Sequence, residues 1–337
     1  MDNQRLFLFV ALSFVILMLW QSWMEDYGPQ PAAEVTPADT PATPASATGE
    51  DLPAMPQTAP AADQALPESV LLKSAQAIEV VTDLFRVRID TTGGDVRQVD
   101  LLKYPATTRP DSEPFRLFND SLPNLFIAQS GLRAGSGTEP THHVVYNAAQ
   151  TSYRMADDAD TLEVPLLWRS PEGVEVVKRY TFHRGSHVVD VEHQVTNNSG
   201  SDWQGRQYRQ LQRTQVAETG QSTFIYTYMG GVIYSPEEKY EKIKFEDMLE
   251  QDLDRVITDG WAAMLQHYFL GALVPNAGEA EHYYTKTLSN TRYVIGMISP
   301  DWRTVANGDT GVFNTRMFIG PKLQDEMKQV AAGLELT

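Results

Sequence analysis

The sequence contains no cysteine. This absence excludes disulfide bonds, cysteine-ligated zinc sites and a catalytic thiol. It also suits an oxidising compartment, because a free thiol there is exposed to oxidation and unwanted pairing. The composition therefore favours a location outside the reducing cytoplasm.

Positive charge is scarce. The 337 residues include 27 lysines and arginines against 44 aspartates and glutamates, which gives a formal net charge of −17. This balance argues against a nucleic-acid partner, since binding to phosphates needs clustered lysines and arginines. It also keeps the body of the protein from adhering to anionic lipid headgroups.

Common catalytic motifs are missing too. There is no Gly-x-Ser-x-Gly turn and no glycine-rich nucleotide-binding pattern. His183 and His187 are four residues apart, but the Arg-Gly-Ser between them indicates a turn and not a helix that would aim both rings at one metal ion; His193 and the pair His142-His143 are predicted on other strands. We therefore expect no catalytic residue, no cofactor and no metal site. A glycosidase pair of carboxylates stays open, because a sequence does not give the distance between two carboxylates.

One long apolar run is present, at residues 6–24. As a helix it would measure roughly 27 Å, close to the ~30 Å hydrocarbon core of a bilayer. It is longer than the apolar part of a signal peptide, and Trp20 and Trp23 stand where a cleavage site needs small residues. Arg5 precedes the run and no lysine or arginine follows it until Lys73, so the positive-inside rule predicts residues 1–5 in the cytoplasm and everything after the run outside. We predict an uncleaved signal-anchor, with a long cleaved signal peptide as the alternative. The residues expected to contact lipid are Leu6, Phe7, Phe9, Val10, Leu12, Phe14, Ile16, Leu19, Trp20 and Trp23.

Residues 25–67 are rich in proline and alanine and poor in large apolar side chains. Such a segment cannot bury enough surface to offset the entropy lost on folding. We therefore predict a disordered linker with an extended reach of at most about 100 Å. Its end places the start of the folded part near residue 68.

A two-residue alternation of apolar and polar side chains dominates the rest of the chain. It recurs at 77–104, 124–131, 142–149, 161–170, 173–200, 223–235, 282–298 and 310–320. Gly93-Gly94 and Asn-Asn-Ser-Gly at 197–200 are turn signals between these runs. The pattern predicts one large, mainly antiparallel β-sandwich over residues 68–320.

Two short helices are predicted near the C-terminal end. The first begins at Ser235, with Pro236 and two glutamates in its first turn. The second spans 321–332, and Leu323, Met327 and Val330 fall on one face that we expect to be buried.

Residues 259–275 form the densest apolar stretch after the anchor. The pattern indicates a pair of core strands around a close turn. A surface that faces a partner is the alternative, and the sequence alone does not separate the two.

Three blocks of the chain resemble the bacterial YidC family of membrane protein insertases. The first is Met1–Arg5 running into the apolar helix, and the other two are GWAAMLQHYF at 260–269 and IGPKLQDEM at 319–327, which leads into LELT at 334–337. Their order and separation match the family over the whole chain. The residues that carry the second and third blocks, each with a structural or a partner-contacting role, are Gly260, Trp261, Met264, Gln266, His267, Tyr268, Phe269, Gly320, Pro321, Gln324 and Met327.

The resemblance implies a retained anchor, a periplasmic β-supersandwich related in shape to sugar-binding enzymes, and a C-terminal helix at 321–337 that leads to the membrane. Members of the family insert nascent proteins into the inner membrane and fold them there, alone or beside the Sec translocon, whose accessory subunits the periplasmic domain can touch. The expected partners are thus inner-membrane proteins, the translocon and the bilayer, with no nucleic acid. The helices of the insertase core are expected beyond Thr337, because nothing between Tyr27 and Thr337 is apolar enough to span a bilayer.

A different class of function remains as an alternative. A tethered, carbohydrate-binding or sugar-processing sandwich would also fit a large β domain with fourteen tyrosines. That reading rests on analogy between folds, and saturable sugar binding would distinguish it from an insertase domain.

Overall fold

The computed structural model describes Pro53 and residues 72–215, 228–289 and 291–337. These residues belong to one compact unit, Gly49–Thr337. The predicted anchor at 6–24 lies outside them, as does nearly all of the predicted linker at 25–67. Within the described ranges, no helix is both long and apolar enough to cross a bilayer.

The described chain folds into two large β-sheets. Nearly all neighbouring strands run antiparallel, as the alternating sequence predicts, although β1 and β7 pair in parallel. The strands are β1 (Ala77–Val81), β2 (Phe85–Asp90), β3 (Asp95–Pro105), β4 (Pro114–Phe118), β5 (Phe126–Ala134), β6 (Asn147–Ala148), β7 (Ser152–Arg154), β8 (Thr161–Arg169), β9 (Val174–His183), β10 (Val188–Asn197), β11 (Trp203–Thr214), β12 (Gly230–Ser235), β13 (Lys239–Ile243), β14 (Asp254–Thr258), β15 (Trp261–Gln266), β16 (Phe269–Val274), β17 (Ala280–Ser289), β18 (Arg292–Ile298), β19 (Arg303–Val305) and β20 (Thr310–Pro321).

The larger sheet has eleven strands in the order β14-β17-β18-β11-β5-β3-β2-β1-β7, with β19 beside β11 and β4 beside β3. The nine-stranded sheet has the order β13-β12-β15-β16-β20-β10-β9-β8-β6. Their facing sides share one extensive core of buried aliphatic and aromatic side chains. This arrangement confirms the predicted mainly antiparallel sandwich.

Two side chains of β9 tie the sheets together through the turn between β2 and β3. The Lys178 ammonium donates to the carbonyl oxygens of Gly93 and Ser130 at 2.9 and 3.0 Å, and the Tyr180 hydroxyl donates to the carbonyl oxygen of Gly94. Gly93 has φ +72°, and a Cβ there would lie 2.4 Å from the carbonyl oxygen of His142, so the turn needs glycine. Burial lowers the pKa of Lys178 to about 8.

Two short α-helices and a 3₁₀ turn complete the described fold. They are α1 (Phe245–Glu250), α2 (Gln324–Val330) and the 3₁₀ turn Leu334–Leu336. Helix α2 packs on the outer side of the nine-stranded sheet, where it forms a second core with β12, β15, β16 and β20. The buried members of this second core are Val232, Tyr234, Trp261, Ala263, Leu265, Leu270, Ala272, Val274, Phe318, Met327, Val330 and Leu334.

The helix prediction at Ser235 is wrong. The Ser235 hydroxyl does accept a hydrogen bond from the Glu238 amide at 3.0 Å, as a helix cap would. The chain nevertheless reverses there, because Lys239 has φ +62° and continues into β13, which pairs with β12. A capping hydrogen bond suits a tight turn as well as a helix start.

The second predicted helix exists but is shorter than 321–332. Pro321 is the last residue of β20, paired with Phe269, and α2 begins at Gln324. Met327 and Val330 are buried as predicted, whereas Leu323 is 48 % exposed, so the prediction for Leu323 is wrong. The reason is backbone geometry: Leu323 is the extended N-cap residue, to which the helical spacing does not apply.

The alternation at 142–149 also overstates the strand content. Only Asn147–Ala148 forms a strand, β6, and Val145 makes a single bridge with Thr92. The segment instead crosses the larger sheet, with the His142 amide donating to the Tyr208 hydroxyl at 2.9 Å. Tyr146 is buried in the core between the sheets, whereas Val145 is 52 % exposed.

Candidate partner surface at the β15–β16 turn

The two family-like blocks come together in the fold. Strand β15 pairs with β16, and β16 pairs with β20, so that Phe269 lies opposite Pro321. Helix α2 then folds back over this three-stranded part of the sheet. The residues singled out from the sequence therefore form one contiguous region, although they lie about fifty positions apart in the chain.

Most residues of this region are structural. The Trp261 indole nitrogen donates to the carbonyl oxygen of Ala332 at 2.9 Å, and its ring stacks on Tyr234 with centroids 5.7 Å apart. Met264 is buried in the core between the sheets, while Met327 is buried under α2. These contacts fasten the end of the chain to β15.

Two glycines of the region allow close approaches. A Cβ at Gly320 would lie 2.7 Å from the His187 ring, and a Cβ at Gly260 would lie 2.5 Å from the carbonyl oxygen of Tyr234. Real Cβ atoms essentially never approach so closely. Gly320 thus lets the turn between β9 and β10 pack directly against the end of β20.

The end of β15 is held by an arginine from the other sheet. Arg213 donates from Nη2 to the side-chain oxygen of Gln266 at 2.6 Å and from Nη1 to the carbonyl oxygen of Leu265 at 3.2 Å. Its guanidinium lies over the Phe126 ring at 4.7 Å. Gln266 therefore serves as an acceptor that fixes the position of the turn that follows.

Phe269, just after the turn, is packed among aromatic rings. Its ring stacks on Phe115 with centroids 4.3 Å apart and meets the edge of Tyr104 at 5.5 Å. It is buried. The strand that leaves the turn is thus as firmly held as the strand that enters it.

Two residues of the second block reach solvent, His267 and Tyr268. They form the turn itself; their rings contact each other, and Tyr268 is 67 % exposed. The Lys322 amide donates to the carbonyl oxygen of Tyr268 at 2.9 Å, which places the exposed Leu323 next to this turn. A rigidly supported turn that presents an aromatic side chain beside an aliphatic side chain is typical of a contact surface.

Glu326 on α2 anchors the helix beside this surface. Its carboxylate accepts hydrogen bonds from the backbone amide of His187 at 3.0 Å and from the ring Nδ1 at 2.9 Å. Burial raises the pKa of Glu326, but the hydrogen bonds and the charge of His187 outweigh that effect, and the net pKa lies below its usual value. The carboxylate is therefore ionised and bound at neutral pH.

Two lysines lie on the same outer side of the sheet. Lys242 on β13 is opposite Val232, which packs against α2, and its ammonium lies 4.7 Å from the centre of the Tyr228 ring. Lys322 is partly buried, and burial together with the charge of Lys242 lowers its pKa. No sequence pattern links these lysines, because Lys242 lies on β13 and Lys322 follows β20, eighty positions further along the chain.

The remaining members of the family-like region are Gln324, the first residue of α2, which is exposed, and Pro321, which is buried at the end of β20.

The described residues contain no group of three or more His, Asp or Glu that would hold a metal ion. His183 and His187 flank the turn between β9 and β10, as expected. His193 is fully buried, with its Nδ1 3.1 Å from the Gln207 amide nitrogen.

A second concave feature lies on the outer side of β1–β3. This open groove of about 490 Å³ is lined by polar residues, including Arg86, Arg88 and Arg116. Arg116 is committed to a bidentate pair with Asp100 at 2.7 and 3.1 Å. The lining includes no aromatic ring, whereas small-molecule sites are mostly apolar and aromatic, so the groove is a weaker candidate than the β15–β16 turn.

Comparison with known proteins gives a consistent result. A family model described as the YidC periplasmic domain matches residues 77–337. Proteins named membrane protein insertase YidC from Alkalilimnicola ehrlichii, Methylococcus capsulatus and Nitrosococcus oceani are 43 %, 41 % and 38 % identical to this chain over its full length. The chain covers 59 %, 61 % and 61 % of these relatives, so it spans about three fifths of their length.

Among solved structures, a galactose mutarotase related enzyme from Lactobacillus acidophilus superposes with a TM-score of 0.50 over 72 % of this chain and 97 % of that one. The identity is 9 %, so the likeness concerns the fold alone. It agrees with the expected relation in shape to sugar-binding enzymes. The family match over residues 77–337 and the full-length relatives together show that this chain belongs to the YidC periplasmic domain family.

Proposed function

We propose that this chain is the N-terminal part of a bacterial membrane protein insertase. Residues 6–24 anchor it in the inner membrane with residues 1–5 in the cytoplasm, and residues 25–67 are a spacer. The β-sandwich lies in the periplasm as an accessory docking platform for nascent inner-membrane proteins and for the Sec translocon with its accessory subunits. Two findings support this proposal: the relatives are named membrane protein insertases, and the family model that matches residues 77–337 is described as a periplasmic domain.

The observation that carries a docking role is the exposed part of the family-like region. His267 and Tyr268 reach solvent, while Trp261, Gln266 and Phe269 around them are held by specific contacts. Tyr268 is 67 % exposed, and the buried contacts on both sides hold the turn that carries it. The platform therefore meets a partner at this turn.

The platform itself performs no chemical step and needs no cofactor. In the whole protein, the membrane-embedded part would lower the cost of moving hydrophilic segments through hydrocarbon by offering them a polar environment. The sandwich would act by bringing that part and its clients together, which raises their effective concentration.

A deletion in the whole protein tests the accessory role. A variant that lacks residues 70–310 but keeps the anchor, residues 311–337 and whatever follows should still insert its membrane-protein substrates, with lower efficiency for those that use the platform. Loss of all insertion would show that the domain is required for the reaction and would refute the accessory role.

A paired substitution tests the docking surface. His267→Ala with Tyr268→Ala should reduce insertion efficiency in cells while the melting temperature stays unchanged, because both side chains are exposed. Val256→Ala is the matched control, since Val256 is 63 % exposed on β14. An equal effect of both variants would remove the special role of the turn.

A sugar screen tests the non-enzymatic role. Thermal shifts of the full chain against a panel of mono- and oligosaccharides should be flat. A saturable shift would contradict the proposal and favour a carbohydrate-binding sandwich.

A further inference from the structure

The outer side of the nine-stranded sheet carries two lysines without a carboxylate partner. Within the described residues, neither Lys242 nor Lys322 forms an ion pair, although the chain carries 44 acidic residues. Lys242 rests over the Tyr228 ring. A pair of like charges without a counter-ion is unfavourable in the free protein, and an anion that binds both relieves the repulsion.

Register places Lys242 on the face that α2 covers, and Lys322 lies in the short link between β20 and α2. Lys242 pairs with Val232, whose side chain belongs to the α2 core, and directly opposite residues share a face of the sheet. Lys322 directly follows Pro321, the last residue of β20, and leads into α2. Lys242 on β13 and Lys322 just after β20 therefore lie at the same end of the sheet, with β12, β15 and β16 between their strands.

Exposed apolar side chains border this cation pair. Leu323 adjoins Lys322 in the chain, and the Lys322 amide binds the carbonyl oxygen of Tyr268. Tyr268 is 67 % and Leu323 48 % exposed. Tyrosine and leucine beside lysines match the layered chemistry of a bilayer surface, where aromatic and aliphatic groups enter below the charged headgroups.

Two of the acidic side chains near this end are committed to other partners. Glu326 is bound by His187. Glu241, which neighbours Lys242 in the chain, pairs with Arg255 at 2.7 Å. Asp325 is exposed on the first turn of α2, where Lys328 lies three residues further along the same face.

We infer that the surface formed by Tyr228, Lys242, Tyr268, Lys322 and Leu323 binds the anionic headgroups of a phospholipid bilayer. The acidic remainder of the protein is repelled by such a bilayer, so this end is the one that faces it. The inference rests on the proposed function in that an anchored domain stays close to a membrane, and it assigns the bilayer as the partner that meets the Tyr268 turn. It adds a lipid contact that sets the orientation of the sandwich.

The missing cysteine makes a direct test possible. Leu323→Cys introduces a unique thiol for an environment-sensitive fluorophore, and Val256→Cys on β14 is the matched control position. The labelled full chain is reconstituted into vesicles of pure phosphatidylcholine or of phosphatidylcholine with roughly 30 % phosphatidylglycerol, a composition that gives a negative surface potential. Reconstitution itself is measured separately by flotation, so that a failure of the predicted anchor is distinguished from a failure of the surface.

In the anionic vesicles alone, the emission of the fluorophore at position 323 should shift to the blue and be quenched by lipid-borne quenchers. High salt should reverse both changes. The label at 256 should remain in water in both. The double variant Lys242→Gln, Lys322→Gln should reduce the ratio of membrane-bound to free label at position 323 by about 30-fold. Each lysine near an anionic surface contributes about 1 kcal/mol of binding free energy, and two of them correspond to this factor. Equal fluorescence at 323 in both kinds of vesicle, or no effect of the lysine substitutions, would overturn the inference.

Discussion

Docking of α2 on the sheet depends on Met327. Its side chain is 1 % exposed and packs in the second core with Val330 and Leu334. The other attachments of this segment are the Glu326–His187 pair and the hydrogen bond from Trp261 to Ala332. Met327→Ala removes the central apolar contact and leaves the polar ones in place.

The expected loss follows from the atoms removed. Methionine has three heavy atoms beyond Cβ, and each buried methylene-sized group is worth about 0.8 kcal/mol. A residual cavity adds to this transfer cost, so the free energy that holds α2 in place should fall by about 3 kcal/mol. The opening of α2 would then be favoured by about 100-fold.

Amide hydrogen exchange resolves this opening. Amides of 327–334 should exchange about 100-fold faster in Met327→Ala, while those of β9 and β10 should not change. Leu323→Ala is the control, because Leu323 is half exposed and should change exchange by less than about threefold. Met327→Asp should release the helix altogether, since it would bury an unpaired charge. If the two alanine variants behave alike, α2 is not held by its apolar face and the reasoning fails.

Three further predictions concern buried ionisable groups. Glu281→Ala should destabilise the domain by about 3–5 kcal/mol in urea unfolding. The buried Arg209 guanidinium lies 2.9 Å from Glu281 in the wild type and would lose its partner. Glu281→Leu combined with Arg209→Met should lower the free energy of unfolding much less. Burial lowers the pKa of Lys178 to about 8, so between pH 8 and 10.5 the unfolded chain binds more protons than the folded one. The free energy of unfolding of the wild type, relative to that of Lys178→Met, should therefore rise with pH across this window. A difference that does not change with pH would contradict the lowered pKa of Lys178. The pKa of Glu326 is lowered by His187, so the stability that Glu326→Gln removes should be fully present above pH 4.5 and vanish as the pH falls through the lowered pKa; a difference that persists in acid would show that the pair contributes only through packing.

The hairpin of β9 and β10 was predictable because one of its faces is in solvent. Buried and less buried residues alternate along Val174–His183 and Val188–Asn197, and such alternation is the signal that a sequence can show. The continuous apolar run at 259–275 is different. Strand β15 is covered by the inner core on one side and by α2 on the other, so the prediction of two core strands around a turn is confirmed.

The longest strand that the sequence did not predict is β11, which lies in the middle of the larger sheet. It reads WQGRQYRQLQRT, and its polar side chains obscure any apolar alternation. Yet nearly all of it is buried, because each face finds polar partners: Arg209 pairs with Glu281, and Gln210 donates to Gln129 at 3.0 Å. Burial of polar groups requires partners from distant segments, and a single sequence does not reveal which segments will meet.

The family-like residues illustrate how a two-layer sandwich supports a surface without devoting many residues to it. Trp261, Phe269 and Gly320 are buried and Gln266 is partly buried, and each fixes the backbone on one side of the Tyr268 turn or of β20. A turn held at both ends by buried contacts loses little freedom when it binds, so more of its contact energy is available for affinity. Resemblance in such a block therefore marks the support of a surface more than the surface itself. For the proposed docking at this turn, substitutions at the buried positions should therefore impair docking by moving the turn, and only Tyr268 and its exposed neighbours should affect docking without affecting stability.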